Sequence, residues 1–247
     1  MATLRIAVWN ANGLNQRKEE ISLFLRTCNT DVLLVSETHV TDRSHINIPH
    51  YAIYHIPHPD KKADGGTAAI VRRNLKHHLA TAYSEENIQA TSIVLEDQMG
   101  EVTVTAFYSR PKHNIKTIEY EQFFQTLGPR FIAGGDYNAK NTYWGARTTT
   151  TKGRELHNAM RKQNLHLSSC QRTYWPSDMN KQPDLLDFCV TKGIATQKVS
   201  VDSCLELTSD HTPIIVTIHT RVQQQPKKTS LYNKNTDWEI FRTLLET

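Results

Sequence analysis

Phe131-Ile132-Ala133-Gly134-Gly135-Asp136-Tyr137-Asn138-Ala139-Lys140 is the stretch on which the reading of this chain turns. Its apolar start, to Ala133, has the length and composition of a buried strand. Gly134 and Gly135 then allow a tight turn or a close approach of backbone to a neighbour. A carboxylate and, two residues on, a carboxamide follow. A strand ending this way sets an acid and a hydrogen-bonding amide at the mouth of a sheet, where functional sites tend to lie. The plain alternative is an Asx turn, with Asp136 and Asn138 bonding their own backbone. The choice depends on how many other strands end alike.

Several do. Residues 4–8 form an apolar run that ends in Trp9-Asn10-Ala11-Asn12-Gly13. Residues 16–28 carry Ile21, Phe24, Leu25 and Cys28 at helical spacing. A strand over 31–35 ends in Ser36-Glu37-Thr38-His39, and another is expected over 51–56, before the loop His58-Pro59-Asp60-Lys61-Lys62. Gly65-Gly66-Thr67 opens a strand over 68–71. Residues 91–96 and 101–108 read as a hairpin around Met99-Gly100, running out at Tyr108-Ser109-Arg110-Pro111. Residues 117–127 and 153–163 have helical periodicity. Short strands are expected near 165–168, 186–190, 199–204 and 214–219, the last with the β-branched density of a buried strand. About ten strands and three or four helices, without strict alternation, imply an α/β class with two packed sheets and helices outside them.

The length of 247 residues suits one large domain with an appendage, and 38 % hydrophobic residues suffice for a core. A net charge of +4 is compatible with a nucleic-acid partner without demanding one. Cys28, Cys170, Cys189 and Cys204 form no C-x-x-C pair and read as reduced thiols of a cytosolic or nuclear protein. The N-terminus runs directly into a strand, so no signal peptide is expected, and no apolar run reaches membrane-span length. From about residue 221, Gln223-Gln224-Gln225-Pro226-Lys227-Lys228 reads as a linker. Trp238, Ile240, Phe241, Leu244 and Leu245 make a short amphipathic tail whose apolar face calls for a continuing chain. The expected division is a domain over 1–220 and a connection over 221–247.

The polar strand ends are Asn10, Glu37, Tyr108, Asp136 with Asn138, Asp187, and Ser209-Asp210-His211. Each has a bland reading: Asn10 a turn residue, Glu37 a solvated strand end, Tyr108 a core ring, Ser209-Asp210 a turn before Pro213. Asp187 is harder to dismiss. It interrupts the run Leu186-Asp187-Phe188, and a buried carboxylate there must pair with something or cost several kcal/mol, as roughly expected for such groups.

Taken in order, these residues resemble the exonuclease–endonuclease–phosphatase superfamily, and within it the endonuclease domain of jockey-like non-LTR (LINE-type) retrotransposons. The resemblance is carried by Ile6-Ala7-Val8-Trp9-Asn10-Ala11-Asn12-Gly13, Ser36-Glu37-Thr38-His39, Tyr108-Ser109-Arg110-Pro111, Gly134-Gly135-Asp136-Tyr137-Asn138-Ala139-Lys140, Trp144-Gly145 with Gly153-Arg154, Thr173-Tyr174-Trp175-Pro176, Asp184-Leu185-Leu186-Asp187-Phe188 and Ser209-Asp210-His211. It implies a four-layer sandwich of the DNase I-like kind, two mixed sheets flanked by helices.

The same resemblance implies a Mg²⁺-dependent nuclease, with Mn²⁺ able to substitute, that nicks double-stranded DNA and leaves a 3′-hydroxyl to prime reverse transcription. Glu37 would hold the metal, with Asn10 close by and Asp210 joining. Asp136 would orient or deprotonate the attacking water, and Asn138 would bond a phosphate oxygen. His211 would contact the phosphate or act as base, with Asp187 on its other ring nitrogen. Tyr108 would donate to the transferring phosphoryl group or stabilise it as a phenolate. Thr173 and Ser209 would touch phosphate, and Arg110 and Trp175 the DNA. A polymerase domain further along would make the full chain an RNA-directed DNA polymerase that works with the element's RNA in the nucleus after synthesis in the cytoplasm. The domain itself would be monomeric, with no membrane partner.

Two departures count against abasic-site repair on the same fold. Ser36 stands where many superfamily members have Gln, and Leu185-Leu186 where repair enzymes usually carry a basic residue. Repair therefore stays the nearest rival. A phosphatase or sphingomyelinase of the superfamily, or a non-catalytic DNA-binding module, comes behind it. The run Arg72-Arg73-Asn74-Leu75-Lys76-His77-His78 fits phosphate contact or a solvated strand end equally well. Thr148-Thr149-Thr150-Thr151-Lys152 lacks the spacing of a P-loop.

Overall fold

Residues of the first strand are sorted by the two-residue period: Leu4, Ile6 and Val8 join one buried cluster, Ala7 and Trp9 another. A strand buried on both faces must lie between layers, and the computed structural model shows which. It describes residues 2–41, 44, 46–56, 64–81, 83–226 and 236–245; the expected loop at 58–62 lies outside them.

In chain order the first half comprises β1 (Leu4–Asn10), α1 (Lys18–Thr27), β2 (Val32–Ser36), β3 (Tyr51–Ile56), β4 (Thr67–Arg72), β5 (His77–Leu79), β6 (Tyr83–Ser84), β7 (Gln89–Asp97) and β8 (Gly100–Tyr108). The second half comprises α2 (Thr117–Thr126), β9 (Phe131–Asp136), α3 (Thr151–Gln163), β10 (His166–Ser168), β11 (Asp187–Lys192), β12 (Val199–Ser203), β13 (Ile214–Ile218) and α4 (Trp238–Leu245). One sheet has the order β12-β13-β1-β2-β4-β3, the other β10-β11-β9-β8-β7-β5, with β6 beside β7. The core between the sheets takes Ile6, Val8, Leu34, Val104, Ile132 and Val216. A second core packs Phe24 and Leu25 of α1 on the outer face of the first sheet, and a third packs Phe123 of α2 and Leu156 of α3 on the second. The result is the four-layer α/β sandwich.

The strands β5 and β6 escape sequence reading because two or three residues carry no periodicity. The first residues of the expected linker pack on the sandwich. Val222 and Gln224 bridge Asp97 and Leu75, and the backbone of Gln223 bonds Glu96 and Lys76, so the chain stays on the sandwich through Gln225.

Strand polarity places the site. β1 runs parallel to β2 and β8 parallel to β9, while β4, β11 and β13 run against their neighbours. The C-terminal ends of β1, β2, β8 and β9 therefore share one pole with the N-terminal ends of β4, β11 and β13. At that pole Asn10 pairs in register with Ser36, Tyr108 with Asp136, and Asp136 with Asp187. Arg72, at the far end of β4, bonds the backbone of Asp31 and pairs with its carboxylate at 3.6 Å. The basic run that starts there lies away from the mouth, so the solvated strand end is the reading that fits.

The sheets meet closely at the mouth because Gly134 has no side chain. A Cβ there would sit 2.6 Å from Val8 Cγ2 and 2.8 Å from Cys189 Sγ. Polar side chains stitch the sheets at the same end: Ser36 Oγ donates to the Phe107 carbonyl at 2.9 Å, and Thr67 meets Thr91 at 2.8 Å. At the opposite pole the buried Asp97 accepts two hydrogen bonds from Arg130, at 2.6 and 2.7 Å, and one from Thr220.

Candidate active site

Asp136 ends β9 and is buried. Its Oδ2 accepts from Asn10 Nδ2 at 2.9 Å and from Asn138 Nδ2 at 2.8 Å, and its Oδ1 accepts from the Asn138 backbone at 2.9 Å. The Asx turn and the site are thus the same structure: the turn bonds aim the carboxylate. Ser36 Oγ accepts from the Asp136 backbone N–H at 3.1 Å, which ties the two sheets directly beneath the acid. Burial, with Asp187 and Glu37 adding repulsion, pushes the Asp136 carboxyl up to about 7, against the pull of His211.

Asp187 opens β11, and its Oδ2 lies 2.6 Å from His211 Nδ1. Burial draws the imidazole's pKa down, but the charge and hydrogen bond of Asp187, with Asp136 and Asp210 behind it, raise it to about 10. The shift favours the charged imidazole, with Nδ1 engaged by Asp187. The other carboxylate oxygen of Asp187 is buried without a hydrogen-bond partner. Asp136, Asp187 and His211 bring potential ligand atoms within 4.8 Å of one another; with the ring protonated, the two carboxylates are the groups left to meet a cation.

Glu37 follows β2 in the left-handed region, φ +50°, as does His39 at +51°. A non-glycine residue held there signals a turn determined by its surroundings. The bonds Gly13 N–H to Glu37 O at 2.9 Å and His39 N–H to Gly65 O at 2.9 Å hold it. The Glu37 carboxylate keeps 22 % exposure and lies 3.8 Å from His39 Nε2. Burial first, then Glu37 and Asp136, hold the Tyr108 phenol far above its usual range. That favours a hydrogen-bond donor over a phenolate.

Not every expected residue faces the mouth. Thr173 is fully buried, and its hydroxyl accepts from the N–H groups of Leu186 and Asp187 at 3.1 and 2.9 Å. It fixes the start of β11 and so the position of Asp187. Ser209 Oγ is held inside a network of Trp9 Nε1, the Asn10 carbonyl and the His211 backbone, each 2.8–3.0 Å away. It shapes the loop before His211. Asn10 gives its amide N–H to Asp136 and accepts from Asn12 N–H at 3.0 Å, so its first role here is to orient the acid. Arg110 pairs with Asp64 at 2.7 Å. Asp210 is half-buried beside His211 and adds to its field. Trp175 is 51 % exposed and lines, with Arg172, Leu205 and Thr212, a groove of about 560 Å³ next to the site.

Sequence reading missed Ser36 as a strut, Trp9 as the anchor of the Ser209 loop, and Lys152. Lys152 did carry a signal: it shares helical spacing with Leu156 and Ala159, the buried face of α3. Carboxylates in excess of cations, one with an orphaned buried oxygen, are a donor set suited to a hard divalent cation. No helix among the described residues is long and apolar enough to cross a membrane.

Comparison with known proteins agrees with this geometry. The model of the endonuclease/exonuclease/phosphatase family matches residues 7–211. The RNA-directed DNA polymerase from mobile element jockey of Drosophila melanogaster is 35 % identical over 99 % of this chain, which covers 27 % of that protein. A probable RNA-directed DNA polymerase from transposon X-element of the same species is 30 % identical over 100 % of the chain and 27 % of its own length. The chain thus spans about a quarter of these relatives. Among solved structures, the endonuclease domain of TRAS1, a telomere-specific non-LTR retrotransposon, superposes with a TM-score of 0.72 at 18 % identity, covering 87 % of this chain and 98 % of its own. An AP endonuclease from Leishmania major gives 0.71 at 13 % identity, over 91 % and 88 %. At such identities the structures speak for the fold.

Proposed function

We propose that this chain, which belongs to the endonuclease/exonuclease/phosphatase family, is the DNA-nicking domain of a non-LTR retrotransposon polyprotein. It would hydrolyse one phosphodiester bond of double-stranded DNA with Mg²⁺ and leave a 3′-hydroxyl that primes reverse transcription by a polymerase further along the natural chain. The single observation that carries the hydrolytic reading is the buried Asp136 held beside the Asp187–His211 pair, whose hydrogen bond is 2.6 Å. The likeness to the jockey and X-element polymerases supports the retroelement context. Residues 1–220 would be the nuclease and 221–247 the start of the connection to the polymerase.

The roles follow from protonation and position. Asp136, poised near neutral pH and aimed by Asn10 and Asn138, takes a proton from the attacking water. His211, already charged, donates from Nε2 to a phosphate oxygen and neutralises the charge that builds there. Asp187 holds the ring in its tautomer and orientation. Tyr108, kept as a phenol, donates a second hydrogen bond to the phosphoryl group. Glu37, with Asp210, would hold the divalent cation, which when bound supplies Lewis-acid neutralisation of phosphate charge. The exposed Trp175 and Arg110, which pairs with Asp64, would contact the DNA.

The test is nicking of supercoiled plasmid, with a polymerase extending the nicked strand to report a 3′-hydroxyl. EDTA should abolish it, and Asp210→Ala and His211→Ala should each lower the rate by ~10²–10⁴-fold, the scale of a lost acid–base or preorganised group. Nicking that persists in EDTA sinks the metal-site reading. A strong preference for an abasic over an intact duplex moves the function to repair.

A further inference from the structure

Lys152 is a buried cation that the roles above do not use. It stands in the first turn of α3, exposed by only 4 %. Its Nζ donates to the carbonyl of Arg110 at 2.6 Å and approaches that of Ser109 at 3.4 Å. Among the described residues no carboxylate lies within ion-pair distance of it. A buried ammonium bonded only to carbonyls is unfavourable unless negative charge lies nearby. Burial draws its pKa down to about 8, and the charge that opposes this fall is that of Asp136.

The carbonyls it grips are not incidental. The Ser109 carbonyl also accepts from Asn138 Nδ2 at 3.2 Å, Ser109 N–H donates to the Asp136 carbonyl at 3.2 Å, and Ser109 Oγ donates to the Tyr137 carbonyl at 2.7 Å. Lys152 therefore sits behind the strand ends that present Tyr108, Asp136 and Asn138. Gly153 keeps it there. A Cβ on Gly153 would lie 1.8 Å from the Lys140 carbonyl, so glycine alone lets the helix start press against the loop after Asn138. A methionine would fill the same space without a charge to bury, so packing alone does not account for a lysine.

We propose that Lys152 is a positioning residue of this site. Its ammonium fixes the Ser109 and Arg110 carbonyls, and through them Asn138 and Asp136, and its charge opposes a divalent cation entering the acidic cluster. The catalytic arm of the test rests on the nuclease reading; the binding arm does not. Calorimetric titration of the 247-residue chain with Mn²⁺ should show Lys152→Met binding the ion roughly tenfold more tightly, because a nearby like charge is gone. Its kcat for nicking should drop by about 10–100-fold with KM for DNA within about twofold, the scale of an outer-shell residue. Lys152→Arg, which keeps the charge, should keep wild-type ion affinity. Lys162→Met, on the exposed side of the same helix, should change neither readout. If Lys152→Met does not fold, Lys152→Gln supplies the same comparison. Unchanged or weaker Mn²⁺ binding in the uncharged variant overturns the proposal, as does a wild-type chain that binds no Mn²⁺. A wild-type chain that binds Mn²⁺ but nicks nothing removes the nuclease reading and leaves the binding arm to decide on Lys152.

Discussion

Asp187→Asn replaces one carboxylate oxygen by an amide and leaves the shape of the site almost unchanged. In the wild type, His211 is 5 % exposed, and burial alone would draw its pKa below the ordinary 6.5. Asp187 at 2.6 Å reverses that and, with weaker help from Asp136 and Asp210, holds the ring protonated up to about pH 10. Neutralising residue 187 removes the largest raising influence and keeps the burial. The pKa should then fall to 6.5 or below, a change of some three units or more, on the order of 4–5 kcal/mol in the balance between charged and neutral imidazole. Ring ¹⁵N NMR of His211 in chelator, from pH 5 to 10, reads this directly. The wild type should remain doubly protonated at pH 8 and the variant should be neutral there. A variant ring still protonated at pH 8, or a wild-type midpoint near 6.5, would refute the claim that the buried carboxylate sets the charge of His211. In the nicking assay the same change should lower kcat by ~10²–10⁴-fold, since a neutral ring no longer meets the phosphate as a cation.

The raised pKa of His211 also makes stability depend on pH: its contribution is whole below about 6.5 and is lost as pH rises through about 10, so chelated protein should melt progressively lower from pH 7 to 10, with a flatter profile in Asp187→Asn. Gly134→Ala forces a Cβ to 2.6 Å from Val8 and 2.8 Å from Cys189 between the sheets, and urea unfolding should show a loss of about 1–3 kcal/mol. Arg130→Met leaves Asp97, 2 % exposed, without its two guanidinium bonds, and should lower stability by roughly 3–5 kcal/mol, readable as a fall in melting temperature with nicking intact below it. Glu37→Gln should abolish Mg²⁺-dependent nicking while leaving the circular dichroism spectrum unchanged, because that side chain keeps 22 % exposure and packs into no core.

Local chemistry wrote much of this protein into its sequence. Apolar runs of strand length, the hairpin around Met99-Gly100 and the helical spacings of Phe24 and Leu156 are set by neighbours a few residues away, and the structure repeats them within a residue or two. The polar ends Asn10, Glu37, Tyr108 and Asp136 were legible for the same reason: a polar residue that stops an apolar run marks where a strand leaves the core. What no local pattern holds is which ends meet. That depends on sheet order and strand polarity, which bring Asp136 opposite Asp187 across 51 positions of chain and Asn10 onto Asp136 across 126. Nor does sequence tell which way a hydroxyl or ammonium turns once buried. The Thr173 hydroxyl accepts from the start of β11, the Ser209 hydroxyl donates to the Asn10 carbonyl, and Lys152, in a segment without P-loop spacing, grips the Arg110 carbonyl behind the acid. A buried polar group must find a partner wherever the packed layers place one, and that location exists only after the two sheets have closed on each other.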